Sequence, residues 1–159
     1  MSAENVLRLL HVLSLFMMVS GLMATLLPLL RVWHTRDIER QLAAFEEADT
    51  AKVVLLIPGA ILTGVTGFVW AVQKEYDFLT TGWLLTLIIL YLFAVAICLP
   101  LMNLGLRRVQ LLAMQAQKRG GGAASELEDA LADNVPLIFG LIMLAAVPVM
   151  AWLPIFKPF

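Results

Sequence analysis

One ionisable side chain, His11, lies inside an apolar stretch of this chain, about one and a half helical turns from where the stretch begins. An ionisable group is costly in hydrocarbon, so within a membrane span it faces the interior of a helix bundle and indicates a function. A neutral imidazole can ligate haem iron or another transition metal, or relay protons. A structural histidine bonded to a carbonyl or hydroxyl of a neighbouring helix fits the same position, so the residue alone leaves these roles open.

The surroundings of His11 give it one helix face of polar or small residues and few partners for a cofactor. On that face lie Ser14, Met18, Gly21 and Thr25. The other histidine, His34, lies about 30 Å away along a helix, which excludes a bis-histidine site within one chain. Haem held by one histidine and one methionine would take its second ligand from Met18, Met102, Met143 or Met150. Haem is therefore a candidate cofactor, and the sequence requires none.

The sequence lacks the residue patterns of most other catalytic, metal-binding and phosphate-binding sites. The sequence has no cluster with zinc-ligand spacing, no nucleophilic triad and no glycine-rich phosphate loop after a strand. Its apolar stretches carry no acidic relay or ion pair, which disfavours transport of charged solutes. The single cysteine, Cys98, lies in the third stretch and excludes an internal disulfide. With a net charge of −1 and no basic tract, nucleic acid is not an expected partner. These absences favour a protein that is not an enzyme.

Four apolar stretches must position these residues. Each supplies the roughly 20 apolar residues that a helix needs to cross a bilayer, and none alternates in the manner of a barrel strand. Hydrophobic residues make up 61% of the 159 residues and charged residues 14%, most of them between the stretches. We therefore predict an all-α, polytopic membrane protein, a four-transmembrane-helix bundle that forms a single membrane domain over residues 1–159. The spans are predicted at about 5–30, 53–72, 83–106 and 136–155.

The distribution of lysine and arginine predicts the orientation. Segments 31–52 and 107–135 hold eight of these residues, and the opposite side holds Arg8, Lys74 and Lys157. By the positive-inside rule the two richer segments face the cytoplasm, and both termini lie outside it. A bacterial inner (cytoplasmic) membrane is the expected location. Aromatic anchors are expected at the outer interface (Tyr76, Trp83, Trp152 and Phe156) and at the inner one (Trp33).

The two cytoplasmic segments are predicted to contain short amphipathic helices. Residues 37–49 place Ile38, Leu42 and Phe45 at helical spacing, which predicts a helix at the headgroups or against the bundle. The third span is expected to continue to Arg119 and to end at a flexible break over 120–122. A capping box at Ser125 then opens an acidic helix over 126–133. Two interpretations stay open: solvated connectors, or a docking surface for a partner.

A stripe of small residues follows the second span. Gly59, Thr63, Gly67 and Ala71 recur every four residues, which lets two helix backbones approach closely. The stripe could pack against the chain's own helices, support self-association or dock another subunit. Proline at 58, 100 and 148 is expected to bend or locally open each helix.

The residues also resemble known families. The first span, LHVLSLFMMVSGL, and the second, IPGAILTGVTGFVWA, resemble the opening helices of the HemJ-type protoporphyrinogen oxidases and the related CopD-like membrane proteins. Gly82-Trp83-Leu84 is similar to the start of their third helix. In length and loops the chain resembles more closely an uncharacterised group of bacterial predicted integral membrane proteins with four spans.

The resemblance implies a four-helix membrane bundle and, in the HemJ branch, haem held through the residue that maps to His11. That branch uses a lysine early in the third helix, where this chain has Leu84-Leu85-Thr86-Leu87. It therefore implies a shared scaffold without the oxidase chemistry. Two functions result: a non-enzymatic accessory or structural subunit of a larger membrane complex, respiratory or photosynthetic, or a haem-binding redox protein with His11 as axial ligand.

Overall fold

The computed structural model describes residues 3–119 and 121–158, and within these residues it is all-helical, without strands. The helices are α1 (Ala3–Val32), α2 (Ile38–Ala51), α3 (Ile57–Gln73), α4 (Gly82–Phe93), α5 (Leu99–Arg119), α6 (Gly121–Ala132) and α7 (Val135–Phe156). Four helical runs in this part of the chain are long and apolar enough to cross a membrane. The predicted fold class, a four-span helical membrane bundle, is confirmed.

Two of the spans pass through a π-helical turn shortly before a proline. Lys52–Leu56 joins α2 to α3 just ahead of Pro58, and Ala94–Cys98 joins α4 to α5 just ahead of Pro100. Proline has no N–H for the usual i→i−4 bond, and widening the turn shifts the neighbouring bonds to i→i−5. The N–H of Ile57 accordingly donates to the carbonyl of Lys52. The helix is thus locally opened at two of the three expected prolines, whereas α7 runs through Pro148.

The first span is the central helix of the bundle. In its apolar window 44% of the residues are buried, against 17–22% in the other three. Glycines let backbones meet along its length: a Cβ added to Gly59 would lie 2.5 Å from the backbone nitrogen of Met18, and one added to Gly21 would lie 2.7 Å from the Cα of Leu56. The outward faces of the other spans are apolar and exposed, for example Phe68 at 61%. These faces contact lipid.

At one end of the bundle α2, the second half of α5 and α6 form what we call the helical layer. The amphipathic helix predicted over 37–49 is α2, and the carboxylate of Asp37 caps it by accepting bonds from two backbone N–H groups. The apolar face of α2 packs on α1 and α5, so that Phe45 is completely buried. Of the two predicted locations, headgroups or bundle, α2 takes the bundle.

Two predictions for this end of the molecule are wrong. Trp33 is not an interfacial anchor: it is 4% exposed and donates its indole N–H to the carbonyl of Leu131 and, at 2.5 Å, to Oδ1 of Asn134. The acidic helix begins at Gly121, upstream of the capping box at Ser125. Buried Leu127 and its neighbours pack α6 against α5, and this packing stabilises the helix beyond the local start signal. Of the expected break, Gly120 lies outside the described residues and the next two glycines belong to α6.

The other end, which we call the termini end, holds the short loop between α3 and α4. Here the ammonium of Lys157 lies 5.4 Å from the ring centroid of Tyr76 and 5.6 Å from that of Trp83. The carboxylate of Asp77 accepts hydrogen bonds from the backbone N–H groups of Leu79 (3.0 Å) and Thr80 (3.3 Å). These bonds, that of Leu79 above all, lower the pKa of Asp77.

Candidate functional site

His11 projects from α1 toward α3 and bonds to the side chain of Thr66. Its Nδ1 lies 2.9 Å from Oγ1 of Thr66. The hydroxyl of Thr66 donates its own proton to the carbonyl of Leu62 at 2.6 Å, so toward His11 it acts as an acceptor. The tautomer with the proton on Nδ1 fits this arrangement, and in that tautomer Nε2 keeps its lone pair. The ring also lies within hydrogen-bonding reach of the backbone of Thr63.

Two further hydroxyls extend this polar contact between α1 and α3. Ser14 donates to the carbonyl of His11 at 2.8 Å and accepts from the hydroxyl of Thr63 at 3.2 Å. Both hydroxyl residues are 5% exposed. Because each proton has an acceptor within the pair of helices, lipid meets no unpaired hydroxyl here. The face predicted from the spacing after His11 is the buried face: Met18 is 6% exposed, Leu56 backbone lies against Gly21, and Thr25 is fully buried.

Trp70 completes the surroundings of His11. Its ring centroid lies 5.7 Å from that of the imidazole, and the guanidinium carbon of Arg8 lies 5.5 Å from the indole ring. Among the described side chains, the indole N–H of Trp70 is the one buried polar atom with no hydrogen-bond partner. Above it, at the termini end, Glu4 pairs with Lys74 at 2.6 Å and with Arg8 at 3.4 Å. A buried donor without an acceptor, next to an imidazole nitrogen without a donor, can serve a group that offers both.

The small-residue stripe of the second span faces α1. Gly59 lies against the backbone of Met18, Thr63 bonds to Ser14, and a Cβ at Gly67 would lie 3.0 Å from Cε1 of His11. Ala71, one step further, is 8% exposed and packs with Trp83, Leu84 and Leu153. Three members of the stripe thus make room for α1, and two of them border the His11 site.

The methionines proposed as a second haem ligand lie elsewhere. Met18, Met143 and Met150 line one apolar void of about 10 Å³ in the centre of the bundle, and His11 is not part of its lining. Met102 is fully buried and packs near Gly140. In the described part of the chain, no three His, Cys, Asp or Glu side chains come together in a way that could hold a metal ion. His11 is thus the one protein ligand that this site would offer to a haem.

The structure also reveals a buried polar contact that the sequence reasoning missed. Lys52 is 1% exposed, and its ammonium donates to Asp49 and, at 2.5 Å, to Oδ1 of Asn103 in α5. The prediction from the sequence counted Lys52 among the basic residues of a loop. It also did not include Thr66 and Trp70, which lie beside His11. A helical-wheel comparison could have found Thr66, which follows Thr63 at i+3 on the same face. For Asn103 no comparable sequence signal exists.

Comparisons with known proteins define the class and the family. Four apolar helical spans with hydrogen-bonded polar groups between them define an integral membrane protein. A family described as "Predicted integral membrane protein (DUF2269)" matches residues 5–158, so the chain belongs to this family. The predicted membership of a four-span group of membrane proteins is thereby confirmed. No curated protein matches the chain, and no solved structure does.

Proposed function

We propose that this protein is a non-enzymatic accessory subunit that assembles with other membrane-protein subunits through its helical layer. The observation that carries the proposal is the way this layer is fixed to the spans. Phe45 of α2 is buried against the spans, Trp33 at the α1 end bonds to Leu131 of α6, and Lys52 bonds to Asn103 of α5. A connector needs none of these contacts, whereas a binding platform requires a fixed shape.

The outer surface of the layer supports the same function. Its exposed acidic residues include Glu39, Glu46, Glu47, Glu126 and Asp129. Exposed apolar residues lie among the polar ones, notably Leu111 at 58%. The positive-inside rule favours a cytoplasmic location for the layer and an external location for both termini, in a bacterial inner membrane. We therefore expect the partner subunits to contact this protein from the cytoplasmic side of the membrane. Respiratory and photosynthetic assemblies are the classes of complex that we favour.

The test is assembly in native membranes. Membranes are solubilised in mild detergent and the size of the species that contains this chain is measured by native electrophoresis. A photoreactive residue is placed singly at exposed positions of the layer, Glu39 or Glu47, and at Leu79 in the opposite loop as a matched control. We expect a larger complex with partner subunits in fixed ratio and crosslinks from the layer positions alone. Migration as a single chain, or equal crosslinking from Leu79, would refute the proposal.

One observation favours a second candidate, a haem-binding redox protein that acts on a porphyrinogen or a quinone. With its Nδ1–H bonded to Thr66, His11 has Nε2 left to bind a metal. Metal-binding histidines are usually oriented in this way, by a hydrogen bond from the other ring nitrogen. The backbone of Gly67 lies against the imidazole ring, and the unpaired indole N–H of Trp70 offers a donor nearby. The residues present therefore fit one axial position.

In this candidate His11 would hold the haem iron, Thr66 would fix the tautomer, and Trp70 could donate to an oxygen of the bound group. When bound, haem supplies one-electron transfer. The contact of Ser14 and Thr63 keeps the two helices, and hence the ring, in one arrangement. The absence of a lysine at the start of α4 separates this candidate from the oxidase chemistry of the families that it resembles.

A visible absorption spectrum of the purified protein tests this candidate. We expect a Soret band that is lost in His11→Ala and kept in His34→Ala, the matched control at the other, exposed histidine. A band that survives His11→Ala, or a wild-type protein that remains colourless after haem is added, would contradict it. The two experiments distinguish the candidates. A colourless protein in a larger complex would support the accessory function and not haem binding.

A further inference from the structure

A groove runs between α5 and α6 on the free surface of the helical layer. It encloses about 440 Å³ and is lined by Arg108, Leu111, Leu112, Gln115, Glu126 and Asp129. The residues from α5 are spaced at i, i+3, i+4 and i+7, and those from α6 at i and i+3, so each helix contributes one continuous face. Two turns of α5, about 10 Å long, form one wall, and one turn of α6 forms the other.

The chemistry of the groove is apolar at its base and acidic at one rim. Leu111 is exposed, and Leu112 is partly buried and packs on the core. Arg108 is already paired with Asp133 at 3.0 Å, on the exposed surface. Glu126 and Asp129 form no ion pair with any side chain that the structure describes. The groove therefore presents uncompensated negative charge beside exposed leucine.

We propose that the α5–α6 groove binds a basic amphipathic helix of a partner subunit. This proposal rests on the accessory function proposed above and names the surface and the chemistry of the partner. A helix that lays apolar residues into a groove is anchored at positions i, i+3 or i+4, which matches the spacing of the groove walls. Lysine or arginine beside those anchors would meet the free carboxylates of Glu126 and Asp129. Charge complementarity selects this occupant over an acidic or neutral helix, because like charges across an interface are repelled.

The position of the groove fits such a partner. α5 emerges from the apolar region after Leu106, and the groove begins at Arg108, within the first turn beyond that point. A helix bound there would lie close to the membrane surface, where basic amphipathic helices are favoured by anionic lipid headgroups. A juxtamembrane helix of a neighbouring subunit meets both requirements, for the groove and for the membrane surface.

A binding measurement with a defined probe tests the proposal. The full chain is placed in nanodiscs of neutral lipid, with an environment-sensitive dye on Gln115→Cys at the groove rim; the native Cys98 is buried and stays unlabelled. The probe is a synthetic peptide of about four helical turns with leucine and lysine at amphipathic spacing, and a leucine–glutamate peptide is its control. We expect a saturable change in dye emission with the basic peptide and none with the acidic one.

Matched variants locate the binding surface. Glu126→Gln with Asp129→Asn removes the rim charge, and Leu111→Asn removes the exposed apolar contact; all three positions are exposed or at the groove rim, so the fold should tolerate them. Two exposed ion pairs together contribute about 1 kcal/mol, so we expect Kd to rise about fivefold for the charge variant. The control, Glu46→Gln with Glu47→Gln on α2, removes the same charge and should change Kd less than about twofold.

Three results would overturn the proposal: no saturable binding, equal Kd for the wild-type and the charge variant, or an equal loss in the α2 control. The accessory function is judged separately, from the size of the native complex. A complex that persists while the peptide fails to bind keeps the accessory function and removes the groove as its contact. Loss of the complex in the charge variant alone would support both.

Discussion

Gly59→Ala should separate the two helices that hold the His11 site. The added Cβ would lie 2.5 Å from the backbone nitrogen of Met18 and 2.8 Å from its Cα. Carbon atoms in van der Waals contact lie about 3.5–4.0 Å apart, so the overlap is about 1 Å. Backbone atoms occupy both sides of the contact, and no side-chain rotation can relieve it. α1 and α3 must therefore move apart at this level.

The expected cost follows from two opposing effects. Overpacking a close contact costs about 1–3 kcal/mol, and the better helix propensity of alanine returns at most about 1 kcal/mol. Because the clash is backbone against backbone, we expect a net destabilisation of about 1–2 kcal/mol, or a five- to thirtyfold change in the ratio of folded to unfolded protein. Separation of the helices should also lengthen the bond between His11 and Thr66.

Gly67→Ala is the matched control for this prediction. Its Cβ would lie 3.0 Å from Cε1 of His11, the end of a side chain that can move by a few tenths of an ångström. We expect a change in the free energy of unfolding of about 0.5 kcal/mol or less. Both variants are measured by titration with SDS from mild detergent micelles, with far-UV circular dichroism as the signal. Equal stability of Gly59→Ala and the wild type, or an equal loss in both variants, would refute the argument from backbone contact.

Three further predictions follow from hydrogen bonds at the two ends of the bundle. Trp33→Phe removes an indole N–H with two acceptors and should lower the free energy of unfolding by about 1–3 kcal/mol, measured by the same SDS titration. Asn103→Leu leaves the buried ammonium of Lys52 with one partner fewer and should cost about 1–3 kcal/mol, part of which the double variant with Lys52→Met should restore, because no buried charge then remains. At the termini end, the lowered pKa of Asp77 means that its bonds contribute fully above the ordinary carboxyl pKa and are lost as the pH falls through the lowered value. A spin label at Leu79, which is 81% exposed, should therefore gain mobility only in acid, whereas with Asp77→Ala it should be mobile at every pH; a wild-type loop that is already mobile at neutral pH would contradict this.

The spans could be predicted from the sequence because lipid imposes a simple requirement on length and polarity. A run of about 20 apolar residues has few alternatives to a transmembrane helix. The same requirement explains the buried face that follows His11, since the spacing of Ser14 and Thr25 on one helix decides which side turns inward. Local periodicity was also sufficient for α2, where Ile38, Leu42 and Phe45 recur at helical spacing.

Tertiary contacts decided what the sequence could not predict. A tryptophan at the end of a predicted span, such as Trp33, is typical of an interfacial anchor. Only the packing of α2 and α6 shows that its indole is enclosed. Lys52 follows an acidic amphipathic segment and resembles a solvated residue, because its partner Asn103 lies 51 positions away. The start of α6 depended likewise on packing against α5 rather than on its capping signal.

The π-helical turns have a mechanical consequence. Each joins its flanking helices without a break, so that Ile38–Gln73 and Gly82–Lys118 are continuous rods of 36 and 37 residues, each about 55 Å long. Because the hydrocarbon core is only about 30 Å thick, each rod extends well beyond it, and the helical layer is attached to these spans by unbroken helix rather than by loops.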